Sequence, residues 1–342
     1  MAFKYKGLRL KDPSLMKRLR RVPNIKFTRA SVAYDKYGNS VPVDTPRFGI
    51  AGGPNDGVLI EEAHTNLLTA DVSQALTTES PYTTGTLDGT YTFSCMTGSY
   101  ELSGGATGTV TPTSPQTKTI TSATVTLTGD ATYNQITATA YPLSWTLGGT
   151  TMAAESLTAP SSVLNIDTEG TGEMTFESEI LIRDIATTKN IIYFRAEPGK
   201  NSCTTDITTS ATRNVIYDAT GKYKLRQHSS TPNLNTFCKI ASTHKEGELN
   251  IFQNGIKSEE SYMGDGGTGI LTASPRRLYL GGHASGAQKI NGLLRNVVLT
   301  KQDRVDGDIT NRSYRDGFGV DKEVTLIAPL KNNLNAYRVA TV

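Results

Sequence analysis

The sequence predicts an all-β protein with two antiparallel β-sandwiches behind a basic N-terminal arm. Its 342 residues are enough for two domains of ordinary size. It contains 32 glycines and only 20% charged residues, and its uncharged stretches are rich in Thr, Ser and Gly, which favour strands and turns. Alternating apolar and polar residues recur between closely spaced turn signals, a pattern typical of antiparallel sandwiches.

The first 29 residues form the basic arm. They contain ten Lys or Arg and one acid, a net charge of +9, whereas the 25 basic and 31 acidic residues of the remainder give −6. Asp12 followed by Pro13 is a typical helix start, and Val22-Pro23 ends the run, so the pattern predicts one short helix. Its basic residues are Lys17, Arg18, Arg20 and Arg21. We expect the arm to dock on a neighbouring subunit rather than on nucleic acid, because few aromatic residues alternate with the charges.

Residues 27–68 combine three short motifs in one order: RASVAY, PRF and GVLIEEAHTNLL. This order resembles a segment near the start of many structural proteins of tailed bacteriophages, where it leads into carbohydrate-binding-like sandwiches. The resemblance is carried by Arg29, Ser31, Pro46, Arg47, Phe48, Leu59, Ile60, Glu61, Glu62, Thr65, Asn66 and Leu67. It implies that residues 1–69 attach the protein to a virion.

The charged residues of this segment have a physical interpretation of their own. Glu61 and Glu62 stand beside His64, but closely spaced apolar neighbours indicate a packed strand rather than a catalytic group. We expect Arg29 or Arg47 to pair with one of the two glutamates, because an arginine–carboxylate contact with two hydrogen bonds fixes geometry.

Residues 70–149 are predicted to form a small sandwich. Thirteen of the 33 residues from Thr107 to Thr139 are Thr, and two alternating runs, TYTFSC and ITSATVTLTG, indicate half-buried strands. The stretch from GTYTFSC to AYPLSW resembles the small carbohydrate-binding-module-like sandwich of phage tail and appendage proteins. This is a similarity of fold pattern, from which sugar binding does not follow.

Residues 150–320 are predicted to form a second sandwich with longer and more apolar strands. Asn254-Gly255 between two strand-like runs indicates a tight hairpin. The succession FQNG, LYLGG and NGLLRNVVLT is similar to the concanavalin A-like or laminin-G-like family, which implies a jelly roll of two large antiparallel sheets. The tail, residues 321–342, contains a strand-like run at 324–327 that would complete a sheet or pair with another copy.

Catalysis is not expected, although one pattern has an enzymatic alternative. In the predicted strand at 173–183, Glu177 and Glu179 project from the same side, roughly 6 to 7 Å apart, as a pair of glycosidase carboxylates would. Some glycoside hydrolases with this sandwich place alternating acids on one strand, which leaves a glycan depolymerase as an alternative. However, Leu181 occupies the next position on that side, so two glutamates on a solvated face are the expected arrangement.

Candidate binding residues are aromatic, because a sugar ring stacks on an aromatic face. The candidates for glycan contact are Trp145, Tyr141, Tyr262 and Tyr279, although a lone Trp most often packs inside a protein. No cofactor is expected. Asp265, in a glycine-rich turn, is a weak candidate for calcium because laminin-G-like domains sometimes carry this ion. Cys95, Cys203 and Cys238 have no metal or redox spacing and are predicted to be buried or free thiols.

These patterns predict a non-catalytic structural protein of a tailed-bacteriophage virion. We expect a tail fibre or appendage protein that contacts host-surface glycan or neighbouring subunits, with a capsid decoration or head-fibre protein as the alternative. The expected partners are other virion proteins, held through the arm, and further copies of the chain in a homo-oligomer. The sequence has neither a signal peptide nor a membrane-spanning run, so synthesis in the host cytoplasm and incorporation into the virion are expected.

Overall fold

The computed structural model describes residues 4–5, 8–9, 19–21, 25–35, 37–48, 57–160, 174–197, 200–245, 247–258, 263–270, 277–283, 288–300, 324–328 and 337–339. Nearly all regular structure in these residues is β, and every strand pair is antiparallel. The predicted fold class, all-β with antiparallel sandwiches, is therefore confirmed. The chain divides into two compact units. The small unit comprises Thr28–Pro54 and Glu61–Glu155, and the large unit comprises Met1–Phe27, Asn55–Ile60 and Ser156–Val342.

The small unit contains twelve described strands and one short helix. They are β5 Ala33–Tyr34, β6 Ser40–Val41, β8 His64–Thr65, α1 Ala70–Gln74, β9 Ala75–Leu76, β10 Tyr82–Thr83, β11 Leu87–Ser94, β12 Thr97–Gly104, β13 Gly108–Val110, β14 Gln116–Ala123, β15 Val125–Thr132, β16 Gln135–Thr137 and β17 Thr151–Met152. One sheet has the order β10-β15-β12-β13, with β9 also paired to β15, and a second has the order β14-β11-β16. Strands β5 and β6 pair with each other, as do β8 and β17.

The core of the small unit lies between these two sheets. It is built from alternate residues of the long strands, among them Phe93, Tyr100, Ile120 and Leu127, each at most 1% exposed. The intervening threonines pair across the strands through their hydroxyl groups, as Thr90 does with Thr119 at 3.1 Å. Such cross-strand pairs explain why a Thr-rich sequence forms these sheets.

One predicted strand of the small unit is in fact two. The run ITSATVTLTG was expected to be a single half-buried strand, but it is divided between β14 and β15, which belong to different sheets. Ser122 adopts a positive φ of 44° at the break. The prediction was wrong because the alternation of apolar and polar residues continues through the bend. Such a pattern does not show where the chain passes from one sheet to another.

The large unit contains nineteen described strands. They are β1 Lys4–Tyr5, β2 Leu8–Arg9, β3 Leu19–Arg21, β4 Lys26–Thr28, β7 Val58–Ile60, β18 Ser156–Pro160, β19 Met174–Ile182, β20 Lys189–Glu197, β21 Lys200–Ile207, β22 Thr212–Tyr217, β23 Tyr223–His228, β24 Cys238–Lys245, β25 Glu248–Gln253, β26 Ile256–Lys257, β27 Met263–Gly264, β28 Arg277–Leu280, β29 Gly292–Thr300, β30 Val324–Ala328 and β31 Tyr337–Val339. An eight-stranded sheet has the order β27-β23-β22-β21-β20-β28-β18-β4. A nine-stranded sheet has the order β26-β25-β24-β19-β29-β30-β31-β3, with β7 also paired to β29.

Polar side chains join the two large sheets inside the apolar layer. Thr205 Oγ1 lies 2.7 Å from Ser242 Oγ. Asn214 Nδ2 donates to the carbonyl oxygens of Thr243 and Asn250 at 2.9 and 3.1 Å. Because these residues of β21 and β22 face the nine-stranded sheet, their immediate neighbours point to the opposite, outer face of the eight-stranded sheet.

Two local predictions for the large unit are confirmed. Asn254 and Gly255 form the tight turn between β25 and β26, with φ values of 51° and 84° that suit a type I′ hairpin. The run at 324–327 lies in β30, which pairs with β29 and so completes a sheet of this chain. Close packing also imposes a glycine at 292, since a Cβ there would approach Leu181 O to 1.9 Å.

The predicted helix of the arm is wrong where it can be checked. Leu19–Arg21, which includes Arg20 and Arg21, is strand β3 and pairs with β31. Hydrogen bonding to a distant strand satisfies the backbone of this segment, so tertiary pairing overrides a weak local helix preference. Lys17 and Arg18 lie outside the described residues.

The units divide the chain at places other than the predicted boundaries. Residues 28–54 and 61–69, expected in a segment 1–69, belong to the small unit, which continues to Glu155. Gly148, next to the predicted boundary between the two sandwiches, is packed within that unit, where its N–H donates to Ser73 Oγ at 2.8 Å. No helix in the described part of the chain is long and apolar enough to cross a membrane. The three cysteines are buried and free, as predicted.

Candidate functional site

Arg29 organises the segment that carries the phage resemblance. Its side chain is fully buried, and its Nε donates to Ser31 O at 2.9 Å. The two terminal nitrogens donate to the carbonyl oxygens of Val41, Pro42 and Thr45 and to Glu155 Oε1. These five bonds match the five N–H groups of a guanidinium. The described residues between 31 and 45, which include one pair of two-residue strands, therefore fold around this cation.

Arg47 extends the same cluster to a second carboxylate. Its guanidinium donates to Glu155 Oε1 at 2.8 and 3.0 Å and to Glu61 Oε2 at 2.8 Å. Burial acts to lower the pKa of Arg47, but Glu155 and Glu61 outweigh it and raise the pKa above its ordinary value. Glu155 also accepts the backbone N–H of Glu61 at 3.0 Å. Arg29, Arg47, Glu61 and Glu155, which we call the arginine–glutamate cluster, contain two charges of each sign.

Other polar residues of the segment also have internal roles in the small unit. Asn66 is fully buried and makes four hydrogen bonds: its Nδ2 donates to Asn134 O and Thr146 O, and its Oδ1 accepts from the N–H groups of Leu68 and Ile136. Glu62, one of the acids expected to pair with an arginine, instead accepts a hydrogen bond from the Tyr141 hydroxyl.

Glu177 and Glu179 do not lie on a solvated face. Glu177 is 3% exposed, and its carboxylate lies 3.3 Å from Lys239 Nζ. Glu179 accepts a 2.6 Å hydrogen bond from Arg295 Nε, and the Arg295 guanidinium lies over the ring of Phe237. The expected wet face was wrong because Lys239 of β24 and Arg295 of β29, the strands on either side of β19, extend their cations to these carboxylates. Each glutamate is therefore engaged with a cation.

The outer face of the eight-stranded sheet has a different composition from its inner face. On adjacent strands β21 and β22, Arg213 donates to both oxygens of the opposite Asp206, at 2.7 and 3.0 Å. At the other end of β22, Tyr217 stands opposite Tyr223 of β23, and their ring centroids are 5.8 Å apart. We call these four residues the tyrosine–arginine face.

The four side chains share one electrostatic environment. Burial acts to lower the pKa of Arg213, but Asp206 and the two tyrosines outweigh it and raise the pKa. Burial, followed by the nearby Asp206 carboxylate, raises the pKa of Tyr217. Burial raises the pKa of Asp206 itself, although Arg213 opposes this change.

A second group of rings lies on the same outer face. Tyr193 of β20 stands opposite Tyr279 of β28, with ring centroids 6.0 Å apart, and the His283 ring lies 4.4 Å from Tyr193. Tyr279, predicted from sequence as a glycan contact, is half-buried here. It is thus brought together with two rings that the sequence analysis did not select.

No family model and no curated protein matches the sequence. Solved structures match about half of it at low identity. Tailspike protein 2 from Escherichia coli O157:H7 bacteriophage CAB120 is 12% identical, with a TM-score of 0.41, over 53% of this chain and 26% of the tailspike chain. The receptor binding domain of botulinum neurotoxin mosaic serotype C/D is 13% identical, with a TM-score of 0.35, over 46% of this chain and 39% of that one.

A SAP-like pentraxin from Limulus polyphemus is 10% identical, with a TM-score of 0.34, over 50% of this chain and 84% of the pentraxin. The chain therefore spans well under two thirds of the tailspike and neurotoxin chains that it matches. These are distant similarities to concanavalin A-like domains.

Two of the predicted aromatic contacts are used inside the small unit. Trp145 is 7% exposed, packs edge-on against Tyr34 and Tyr133, and donates its indole N–H to Asn134 O at 3.0 Å. Tyr141 is 8% exposed. The structure thus corrects their assignment as a sugar platform, because neither ring face is open to a ligand. Tyr262 lies outside the described residues.

Asp265, the weak calcium candidate, holds a turn in the large unit. Its Oδ1 accepts the N–H of Tyr223 at 2.6 Å. The neighbouring Asp218 accepts four hydrogen bonds, from the N–H and hydroxyl groups of Thr220 and Thr268. Among the described residues, no three His, Cys, Asp or Glu side chains converge on one point that could hold a metal ion.

Sequence patterns did not predict the residues that complete the arginine–glutamate cluster and the tyrosine–arginine face. Glu155 is 94 residues from Glu61, and nothing in its local sequence indicates a buried ion pair. Asp206, Arg213, Tyr217 and Tyr223 could have been found only from the hairpin register of β21 to β23, because alternate positions on paired strands share one face.

Proposed function

We propose that this protein is a non-catalytic structural protein of a tailed-bacteriophage virion, of the tail fibre or appendage type. The observation that carries the proposal concerns residues 27–68, the segment that resembles phage structural proteins, and their place in the small unit. The polar residues that define the resemblance, such as Arg29, Arg47, Glu61 and Asn66, are those that build the buried interior of the small unit. The shared motifs thus correspond to a folded module rather than to a chance run of residues.

The binding role proposed for this protein is contact with host-surface glycan or with neighbouring subunits. The architecture supports such a role, since it consists of two β-sandwich units with little else among the described residues. In this proposal, the basic residues near the N-terminus hold the protein on an acidic surface of the particle. Incorporation into the virion follows synthesis in the host cytoplasm.

A glycan depolymerase is the less favoured function. Glu177 is almost completely buried against Lys239, and Glu179 is engaged with Arg295. A glycosidase requires one carboxylic acid that donates a proton and a second carboxylate that attacks or activates water. Both carboxylates are already in contact with cations of the neighbouring strands, so neither is placed to act on a substrate.

The location of the protein on the particle tests the proposal. Purified particles should contain the chain by mass spectrometry, and particles labelled with an antibody against it should carry the label on the tail. Label on the capsid lattice, with unchanged adsorption when the gene is deleted, would assign the protein to capsid decoration. Absence from purified particles would refute a virion role.

Enzymatic activity is tested separately. Incubation of the protein with host surface polysaccharide should release no reducing ends. Release that is abolished by Glu177→Gln, but not by the same change at the exposed Glu79, would establish the depolymerase.

A further inference from the structure

The two faces of the eight-stranded sheet differ in chemistry. Its inner face presents side chains such as Phe194, Ile216 and Leu278, which are fully buried. On its outer face Tyr193, Asn190 and Thr204 are buried, with Thr204 Oγ1 donating to Asn190 Oδ1 at 3.0 Å, whereas Arg213, Tyr217, Tyr223 and Tyr279 are partly exposed. The partly exposed side chains are thus three aromatic rings and one guanidinium. Rings beside a hydrogen-bond donor suit a ligand that has both apolar faces and hydroxyl groups.

Three side chains of the tyrosine–arginine face are partly exposed, and the fourth, Asp206, is buried. Tyr217 and Tyr223 are half-buried, and the Arg213 side chain is 28% exposed. The hairpin that presents the two rings is fastened at its end, where Asp218 accepts N–H and hydroxyl groups of Thr220 and Thr268. Because these hydrogen bonds already order the hairpin, binding of a ligand costs less conformational entropy of the protein.

The dimensions suit an oligosaccharide. Arg213 and Tyr217 lie four residues apart on β22, about 13 Å along the strand. One sugar ring does not span this length, whereas a short chain of rings does. The C–H faces of pyranose rings stack on aromatic side chains, and planar groups such as a guanidinium and a carboxylate bind hydroxyl groups in pairs.

We propose that the outer face of the eight-stranded sheet binds a pyranose oligosaccharide, with Tyr217 and Tyr223 as the stacking platform and Arg213, held in place by the buried Asp206, as the hydroxyl-binding group. This inference rests on the proposed role in glycan contact and assigns it to residues. The Arg213–Asp206 pair has no net charge, so hydroxyl groups rather than a charged substituent are what it recognises.

Binding to defined sugars tests the inference. The full chain is applied to an array of short oligosaccharides of glucose, galactose, mannose and N-acetylglucosamine, and the best ligand is titrated by calorimetry. Tyr217→Ala and Tyr223→Ala should each weaken binding by about tenfold, because each removes a stacking surface. Tyr217→Phe keeps the ring and should change the Kd by less than about threefold.

Two further variants serve as comparison and control. Arg213→Lys keeps the charge but loses the two-bond geometry, so it should weaken binding. Tyr37→Ala removes a tyrosine that is 68% exposed in the small unit and should leave binding unchanged. Circular dichroism of each variant separates loss of binding from loss of folding.

Three results would overturn the inference. The unaltered chain could bind no member of the array, or Tyr217→Ala, Tyr223→Ala and Arg213→Lys could all bind like it. The third result is that these variants keep sugar binding but no longer assemble into oligomers or particles. The face would then be a contact between subunits. Failure here with the protein still present in particles would leave the proposed function standing, whereas absence from particles would refute that function and not the binding.

Discussion

The two units use arginine–carboxylate pairs in opposite ways. In the small unit, Arg29 has no exposed side-chain surface, and its five hydrogen bonds occupy every donor. In the large unit, Arg213 contacts one carboxylate, stands beside two tyrosines and keeps 28% of its side chain exposed. A guanidinium that is fully buried, with every donor hydrogen-bonded, stabilises the fold, because no donor remains for a ligand. Arg213, partly exposed beside a buried carboxylate, keeps side-chain surface that a ligand can reach.

The largest expected effect comes from removing the charge of Glu155. Glu155→Gln leaves two buried guanidinium groups facing one carboxylate, so the free energy of unfolding of the small unit should fall by about 3 to 5 kcal/mol. The measurement is urea unfolding followed by the fluorescence of Trp145, the single tryptophan, which packs inside the small unit.

Glu79→Gln is the matched control, because Glu79 is an exposed glutamate of the same unit. It should change the free energy by less than about 0.5 kcal/mol. If Glu155→Gln had an effect as small as that of the control, the arginine–glutamate cluster would not be what stabilises the small unit.

An intermediate effect is expected at acid pH in the large unit. Burial alone would raise the pKa of Asp218, but the hydrogen bonds from Thr220 and Thr268 lower it from 3.8 to about 2. A carboxyl group whose pKa is depressed by folding stabilises the protein above its unfolded pKa, and this contribution disappears as the pH falls from 3.8 through about 2.

Asp218→Asn removes this pH-dependent contribution. The urea midpoint of the variant, followed by circular dichroism, should lie below that of the unaltered chain at neutral pH and approach it as the pH falls to about 2. A constant difference between the two proteins over that range would show that Asp218 does not titrate as described.

The smallest expected effect comes from the pair that we assign to ligand binding. Arg213→Lys should lower the free energy of unfolding by about 1 kcal/mol, since lysine keeps a cation beside Asp206 but loses one of the two hydrogen bonds. Arg29→Lys, the same change in the small unit, should cost about 2 to 4 kcal/mol because several buried carbonyl oxygens lose their donor. Similar losses for the two variants, measured by urea unfolding, would contradict the distinction between the two arginines.

The sequence predicts the architecture better than the contacts. The strands, the Asn254-Gly255 hairpin and the antiparallel sandwiches follow from alternation and turn chemistry, which are local properties. Glu155 could not be predicted as the partner of Arg29, because the pair joins residues 126 positions apart. The burial of Glu177 could not be predicted from the sequence either. Alternation shows which residues share a face, but not which side chains of other strands contact them.

Pairing over long distances likewise explains the error in the arm. The residues around Leu19 satisfy a local helix pattern, yet their backbone pairs with Tyr337–Val339. The Arg47–Glu61 pair was predictable because only 14 positions separate the two residues and both lie in one recognisable segment.

The pairing of β3 with β31 also has a consequence during translation. At about 5 to 20 residues per second, roughly 300 residues are added between these strands in about 15 to 60 s. The segments of the small unit have all been made once residue 155 is added, so that unit can fold while the ribosome is still at work. Leu19–Arg21 therefore leaves the ribosome long before Tyr337–Val339, the strand with which it pairs, has been made.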